Sequence, residues 1–452
     1  MADDGRPRQR VVIVGGGFAG LLAAKGLRKA ACDVTMIDRR NFHLFQPLLY
    51  QVATGALSPA NIAAPLRSVL RKQKNARVVL GEVVGFDLTA KLVRLADGSD
   101  VPFDTLVVAT GSTHTYFGHD EWAELAPGLK TLEDATEIRR RVLSAFERAE
   151  RETDPARRRA MLTFVIVGGG PTGVEMAGAI SELARHTMRN DFRSIDPRAA
   201  RIVIVEGQNR VLGTFHEKSS RKARETLERM GVELYLDCHV VGIGMEFVEY
   251  QPDGGKGAAT RIDAETVVWA AGVKASGLGK LLAAAAGVET DRAGRVAVNP
   301  DCTVGGRSDI FVIGDLATLK GADGKLLPGV APVAMQQGQY VGRVIAGRVK
   351  GDAISRGPFR YWDKGNMATI SRASAVAETG GLRLSGFVAW LAWLFIHILY
   401  LAAFENRVLV LFQWFFNYLT RGRAARLITG ANAHRLGDPR RGVPPGETVV
   451  KG

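Results

Sequence analysis

Cysteine is scarce in this chain: three among 452 residues, Cys32, Cys238 and Cys302, far apart in the sequence. They form no Cys-x-x-Cys pair and no metal-like spacing, which argues against electron transfer through a redox-active disulfide and leaves no candidate metal ligands. Each is read as a reduced thiol without chemistry. An apolar leader is also missing: MADDGRPRQR precedes the first strand-like run without a signal segment, so the body of the protein is expected to stay in the cytosol. The formal charge is +14, yet the basic residues are spread widely and no nucleic-acid motif accompanies them, so nucleic acid is not an expected partner. Uninterrupted hydrophobic runs long enough to matter for a membrane are absent until residue 386.

Glycine, by contrast, is plentiful, with 52 residues, as expected where backbone must lie close to ligands. The length calls for two or three domains. The first 40 residues carry the strongest local signal. A β-branched run, Val11 to Val14, leads into Gly15, Gly17 and Gly20 at Gly-x-Gly-x-x-Gly spacing, then a helical run, then a second strand ending on Asp38. Gly15 allows a tight turn, Gly17 lets backbone approach a pyrophosphate, and Gly20 lets helix and strand pack closely. The helix N-terminus would receive the phosphates and Asp38 the ribose hydroxyls. This is a complete dinucleotide fingerprint.

The pattern recurs at Gly168, Gly170 and Gly173, after the strand-like FVIV and before a helix, with Pro171 and Thr172 inside the turn. Its acid, Glu206, ends the strand IVIVE after a longer gap, with HTMRNDFRSIDP reading as an insertion. A carboxylate there holds an adenosine ribose and repels a 2′-phosphate, which favours NADH, with Arg210 keeping an NADPH alternative open. Two further strands end in small residues, at Gly111 and at Ala271 and Gly272. A third delivers Gly314-Asp315, an acid suited to a polyol chain such as the ribityl of FAD. The helix that begins near Ala331 would point its N-terminus at a flavin ring. Between the two glycine turns, 132–159 reads as a charged helical connector with a solvated run, and a hairpin is expected around Pro252 to Gly257.

Taken together, VVIVGGGFAG, HLFQPLLYQVATG, FVIVGGGPTGVEMAGAI, FVIGD, APVAMQQG and DKGNMATI resemble the type II NADH:quinone oxidoreductases, flavoproteins with two dinucleotide-binding domains. The resemblance spans roughly residues 8 to 430. It implies an α/β fold with two Rossmann-like domains and a C-terminal amphipathic-helical region that anchors to a membrane. The implied boundaries are 8–120 and 291–358 for the FAD domain, 121–290 for the NADH domain with its core at 160–275, and 359–452 for attachment. By resemblance, Gly15, Gly17, Phe18, Ala19, Gly20, Asp38, Arg39, Val83, Gly111, Asp315 and Ala334 hold one FAD. Gly168, Gly170, Pro171, Thr172, Gly173, Glu206, Ala271 and Gly272 hold NADH. Glu175 matches a family glutamate near nicotinamide and flavin, its alternative role being to stabilise the first helical turn. Gln336, Gln337 and Lys364 match the quinone side. Where many members have Ala-Gln this chain has Ala331-Pro332, which passes the quinone contact to Gln336. A homodimer is implied as well.

From Gly386 to Phe404 the sequence is free of formal charge unless His397 is protonated, and it is just long enough to cross about 30 Å of hydrocarbon. Trp390, Trp393, His397, Tyr400 and Phe404 recur along one face. A lengthwise aromatic stripe suits a helix lying in the interface plane rather than one spanning it, a partner or dimer interface being the remaining option. The next segment repeats the theme with Trp414 and Phe415. Arg421, Arg423, Arg426, Arg435, Arg440 and Arg441 lie beside these runs and suggest an anionic membrane surface. The expected activity is therefore NADH oxidation with two electrons passed through FAD to a membrane quinone, without proton pumping, at the cytoplasmic face of the membrane. Alternatives are a sulfide:quinone oxidoreductase, a soluble electron-carrier reductase, or a low-turnover flavin-bearing signalling protein.

Overall fold

The computed structural model describes residues 8–352, 357–401, 404–420 and 422–430; Arg421, Arg435, Arg440 and Arg441 lie outside the described residues. The chain forms two compact units, each discontinuous in sequence. Among the described residues, one takes 8–44, 63–113 and 273–364; the other takes 45–62, 114–272 and 365–430.

The first unit is built on a six-stranded sheet. Ala76–Leu80, Cys32–Asp38, Gln9–Val14, Thr105–Val108 and Arg307–Val312 lie side by side and parallel, with Thr303–Val304 antiparallel at the edge. Counting the parallel strands in chain order gives 3-2-1-4-5, the doubly wound arrangement in which ligands bind at the carboxyl ends of the strands. Val11 and Ile13 pack with helix residues Leu21 and Ala24 and with Leu27 just beyond the helix, whereas Val12 and Val14 pack in a separate cluster with Phe103 and Leu106. A strand covered on both faces needs an unbroken apolar run, and VVIV supplies it. The helix Phe18–Gly26 packs against the helix Ala331–Lys350 through glycines: a Cβ at Gly338 would lie 2.2 Å from the Ala19 carbonyl oxygen.

The second unit repeats the plan with Val232–Leu236, Arg201–Glu206, Thr163–Val167 and Thr266–Trp269, all parallel, in chain order 3-2-1-4. An antiparallel sheet of His239–Ile243, Phe247–Gln251 and Thr260–Asp263 turns around Pro252 to Gly257, where the hairpin was expected. The helix Pro171–Glu182 runs into a π-helical turn, Leu183–Thr187, and packs on the strand Asn366–Ser371. A Cβ at Gly178 would lie 1.8 Å from the Ile370 carbonyl oxygen, so only glycine permits this approach.

Three expectations change. The charged stretch 132–159 is two helices, Leu132–Arg151 and Pro155–Met161, separated where Asp154 caps the second. The charged residues of the run 147–159 are largely exposed as expected, except Arg148, which is buried and donates to Glu265 at 2.5 Å; Arg139, Arg140 and Arg141 before it are buried too. Segment 45–62, expected with the first domain, belongs to the second unit, where Gln51 and Ala56 bond to the C-terminal helices.

The third change concerns the C-terminus. The apolar run forms a helix of only 14 residues, Phe387–Tyr400, followed by Leu401 in an extended conformation and a second helix, Phe404–Thr420. Fourteen residues reach about 21 Å, short of a hydrocarbon core of about 30 Å. Among the described residues no helix is long and apolar enough to cross a membrane. Two of the aromatics turn inward, contrary to expectation: Trp393 of the stripe is 2% exposed and Trp414 of the second helix 9%, while Trp390, His397 and Tyr400 are half-buried. Phe387, Val388, Leu391, Phe395 and Leu399 on the first helix, and Phe412, Phe415, Phe416 and Leu419 on the second, are exposed instead. Helical periodicity marks a face without saying whether protein or solvent covers it.

Candidate active site

The two glycine turns are near copies in geometry. Gly15 and Gly168 both have φ of +104°, a conformation open to glycine at little cost. A Cβ at Gly20 would lie 1.9 Å from the Gly15 carbonyl oxygen, and one at Gly173 would lie 1.9 Å from that of Gly168. Each turn is tied to its acid. Asp38 accepts the Gly16 N–H at 2.6 Å on one carboxylate oxygen and the Arg40 N–H at 2.8 Å on the other. Glu206 accepts the Gly169 N–H on one oxygen and the Gln208 N–H at 2.8 Å on the other. These bonds fix the acids at the strand ends and leave lone pairs for sugar hydroxyls.

Neither helix that follows carries a side-chain cap. Gly17 and Gly170 stand at the N-cap positions in extended conformations, with no acid in the first turn. A Cβ at either would meet nothing within 4 Å. Orphan N–H groups at an open helix N-terminus fit a pyrophosphate, so the residues present suit a dinucleotide in both units.

In the first unit, Gly111 has φ of +66° and the neighbouring Ser112 donates to Asp315 at 2.8 Å. The Gly314 N–H donates to Gln337 at 2.7 Å, and Gln337 is buried, so the helix bearing Ala334 is clamped to the Gly314-Asp315 turn. Phe18 meets the His43 ring edge-on at 5.2 Å, and His43 Nδ1 donates to the Gly16 carbonyl at 2.9 Å. Burial pushes the imidazole below its ordinary pKa, which keeps it neutral. Val83 is buried in a separate antiparallel sheet and Arg39 is exposed. Gln336 spends both ends of its amide on Trp362, donating to its carbonyl at 2.9 Å and accepting its N–H at 3.0 Å. The Lys364 ammonium lies 5.6 Å from the exposed Trp362 ring.

In the second unit, Pro171 and Gly272 are exposed, Thr172 and Ala271 partly so. Arg210 donates to the Gly213 carbonyl at 2.8 Å. The helix Pro171–Glu182 carries Glu175 and Glu182 along one wall of a cavity of about 260 Å³. Trp390, Trp393, Trp414 and Tyr418 of the C-terminal helices form another wall. Part of Glu175 opens to the cavity, yet the protein packed around its carboxyl pushes the pKa to about 8, opposed only by the Thr369 backbone N–H. Arg423 is buried, donating to Glu182 at 3.1 Å and to the Thr54 carbonyl at 3.2 Å. The late basic residues are thus not all surface charges: Arg423 serves inside the cavity, and Arg426 pairs with Asp191. His397, stacked on Trp393 at 4.2 Å, is pushed by burial to about 4 and stays neutral. Burial also raises Cys32 to about 11, and all three thiols are buried, so they are held protonated.

The glycine turns, both acids and Glu175 were singled out in the sequence as site residues, and the structure places the acids on the turns and Glu175 on the cavity wall. His43, beside the first turn, and Tyr50, Gln51 and Arg423, on the cavity, were not, since none of them announces itself by local spacing.

Two doubly wound units with twin phosphate turns define the class of flavin- and nicotinamide-dependent reductases, and residues 9–338 match the family model described as pyridine nucleotide-disulphide oxidoreductase. The type II NADH:quinone oxidoreductase NdhA of Mycobacterium tuberculosis is 49% identical over 429 residues, covering 93% of this chain and 90% of the relative. Ndh of the same organism, given the same description, is 46% identical over 430 residues, covering 94% and 91%. The chain belongs to the type II NADH:quinone oxidoreductases. A solved structure of NDH2 from Plasmodium falciparum in complex with NADH has the same fold, with a TM-score of 0.83 at 19% identity over 94% of this chain and 100% of that one.

Proposed function

We propose that the protein oxidises NADH and passes two electrons through one FAD to a membrane quinone, without pumping protons. The observation that carries this reading is the pair of open, acid-tethered glycine turns, one in each unit, beside the relatives' shared description. Gly15, Gly17, Phe18, Ala19, Gly20, Asp38, Arg39, Val83, Gly111, Asp315 and Ala334 hold FAD. Bound there, the flavin supplies the two-electron chemistry that links the substrates. Gly168, Gly170, Pro171, Thr172, Gly173, Ala271 and Gly272 hold NADH, and Glu206 selects it over NADPH by repelling a 2′-phosphate.

The net reaction, NADH plus quinone plus one proton giving NAD⁺ plus quinol, consumes a proton. Glu175 holds a proton near neutral pH and lines an aromatic cavity, which suits it to that supply. Gln336, Gln337 and Lys364 serve the quinone side of the first unit, Gln336 by holding Trp362. The exposed phenylalanines and leucines of the two C-terminal helices attach the protein in the plane of a membrane at its cytoplasmic face, where it acts as a homodimer. Supplied with FAD in detergent, the protein should oxidise NADH with a soluble quinone analogue and strongly disfavour NADPH. Ferricyanide reduction with no quinone reduction would contradict the reading, and full release from membranes by moderate salt would contradict the attachment.

A further inference from the structure

The cavity of the second unit contains a hydrogen-bond chain whose direction is set by chemistry alone. Trp414 Nε1 lies 2.7 Å from Gln51 Oε1, and an indole nitrogen can only donate. Gln51 must therefore present its carbonyl oxygen to Trp414 and its NH₂ to Tyr50, whose hydroxyl oxygen it meets at 2.9 Å. Tyr50 accepts that bond, so its own O–H remains to be given. Among the described residues the hydroxyl has no acceptor, although Tyr50 is 8% exposed and lines the cavity. A buried O–H left undonated in a finished fold is costly unless a ligand takes it. A second donor on the same cavity, Trp393 Nε1, is likewise buried without a partner among the described residues.

The remaining surfaces describe the missing acceptor. Three indoles and Tyr418 supply flat apolar walls, and Gln51 has spent its carbonyl on Trp414. A planar, largely apolar molecule with carbonyl oxygens matches this set: it takes hydrogen bonds and gives none. Resting on the reading above, in which the electron acceptor is a quinone, we propose that the Tyr50 hydroxyl donates a hydrogen bond to a carbonyl oxygen of the quinone headgroup, with Gln51 and Trp414 as the residues that orient it.

Negative charge grows on that oxygen as electrons arrive, so the bond strengthens in the transition state. Tyr50 transfers no proton in this role. Burial, together with the carboxyls of Glu175 and Glu182 and against the nearby Arg423, keeps the phenol protonated well above its ordinary range. It therefore donates at every working pH. The arrangement also explains why a membrane-facing helix sends an indole inward: Trp414 sets the sense of the chain that ends on Tyr50.

The test is Tyr50→Phe in the full-length, FAD-loaded enzyme, following flavin reduction by NADH and flavin reoxidation by a soluble quinone as separate half-reactions. Flavin reduction and ferricyanide turnover should be unchanged, while reoxidation by quinone falls about 10- to 100-fold. Trp414→Phe should give part of the same loss, because Gln51 can then turn its amide, and should lower kcat with quinone while leaving the KM for NADH unmoved. Equal reoxidation rates for wild type and Tyr50→Phe would overturn the proposal. A wild type that quinone does not reoxidise at all would instead overturn the reading on which it rests.

Discussion

The two dinucleotide turns have nearly the same backbone and different surroundings. Around the first, the buried Gln337 clamps the Gly314-Asp315 turn, Gly338 presses on Ala19, and Ser112 ties Asp315 to the neighbouring strand. Around the second, Pro171 and Gly272 are exposed, and the helix beyond the turn runs on to a cavity with Glu175 on its wall. The turn itself says only that phosphates would fit. Clamping around the first suits a ligand that is kept, and the exposed Pro171 and Gly272 beside the second suit one that exchanges, so on this account the first turn keeps FAD while the second exchanges NADH for NAD⁺.

The largest expected effect comes from removing either close approach. Gly173→Ala places a Cβ 1.9 Å from a carbonyl oxygen, so helix and strand must part; NADH oxidation should be abolished, with a stability loss of about 1–3 kcal/mol read by thermal melting, while bound FAD survives. Gly20→Ala should do the reverse and yield protein without flavin. Next, Glu206→Ala should raise the KM for NADH about 10- to 100-fold, the worth of hydrogen bonds to a charged group, and narrow the preference over NADPH. If both cofactors suffered equally in either variant, the division of labour would be wrong.

A smaller effect concerns pH. Glu175 has a pKa near 8 in the folded chain against an ordinary 4.5, so between these values the folded protein holds a proton that the unfolded chain has released. Its contribution to stability is complete below about 4.5 and is lost as pH rises through about 8. Glu175→Gln should therefore gain on wild type in melting temperature between pH 5 and pH 9; a constant difference would mean that the carboxyl is not desolvated. Smallest is Phe415→Ser on the outer face, which should leave folding and soluble turnover intact and weaken binding to lipid vesicles severalfold.

Both turns were legible in the sequence because their chemistry is local: strand, glycines, helix and acid follow one another. The C-terminal helices were legible only as helices. Their aromatic face was assigned to lipid, but Trp414 donates to Gln51, a partner 363 residues away that no periodicity reveals. Arg423 was counted with a basic surface for the same reason, since its partner Glu182 lies on the helix of the second glycine turn. Pairings across this distance arise from the packing of Gly178 on Ile370 and of the C-terminal helices on segment 45–62, which only the folded chain displays.

The central claim is that the Asp38 turn holds FAD and the Glu206 turn holds NADH. FAD content per chain and the KM for NADH, measured side by side in Asp38→Ala and Glu206→Ala, test it most directly. The account predicts that Asp38→Ala loses flavin, whereas Glu206→Ala retains one FAD per chain and loses affinity for NADH. Flavin loss in Glu206→Ala, with full flavin in Asp38→Ala, would contradict it.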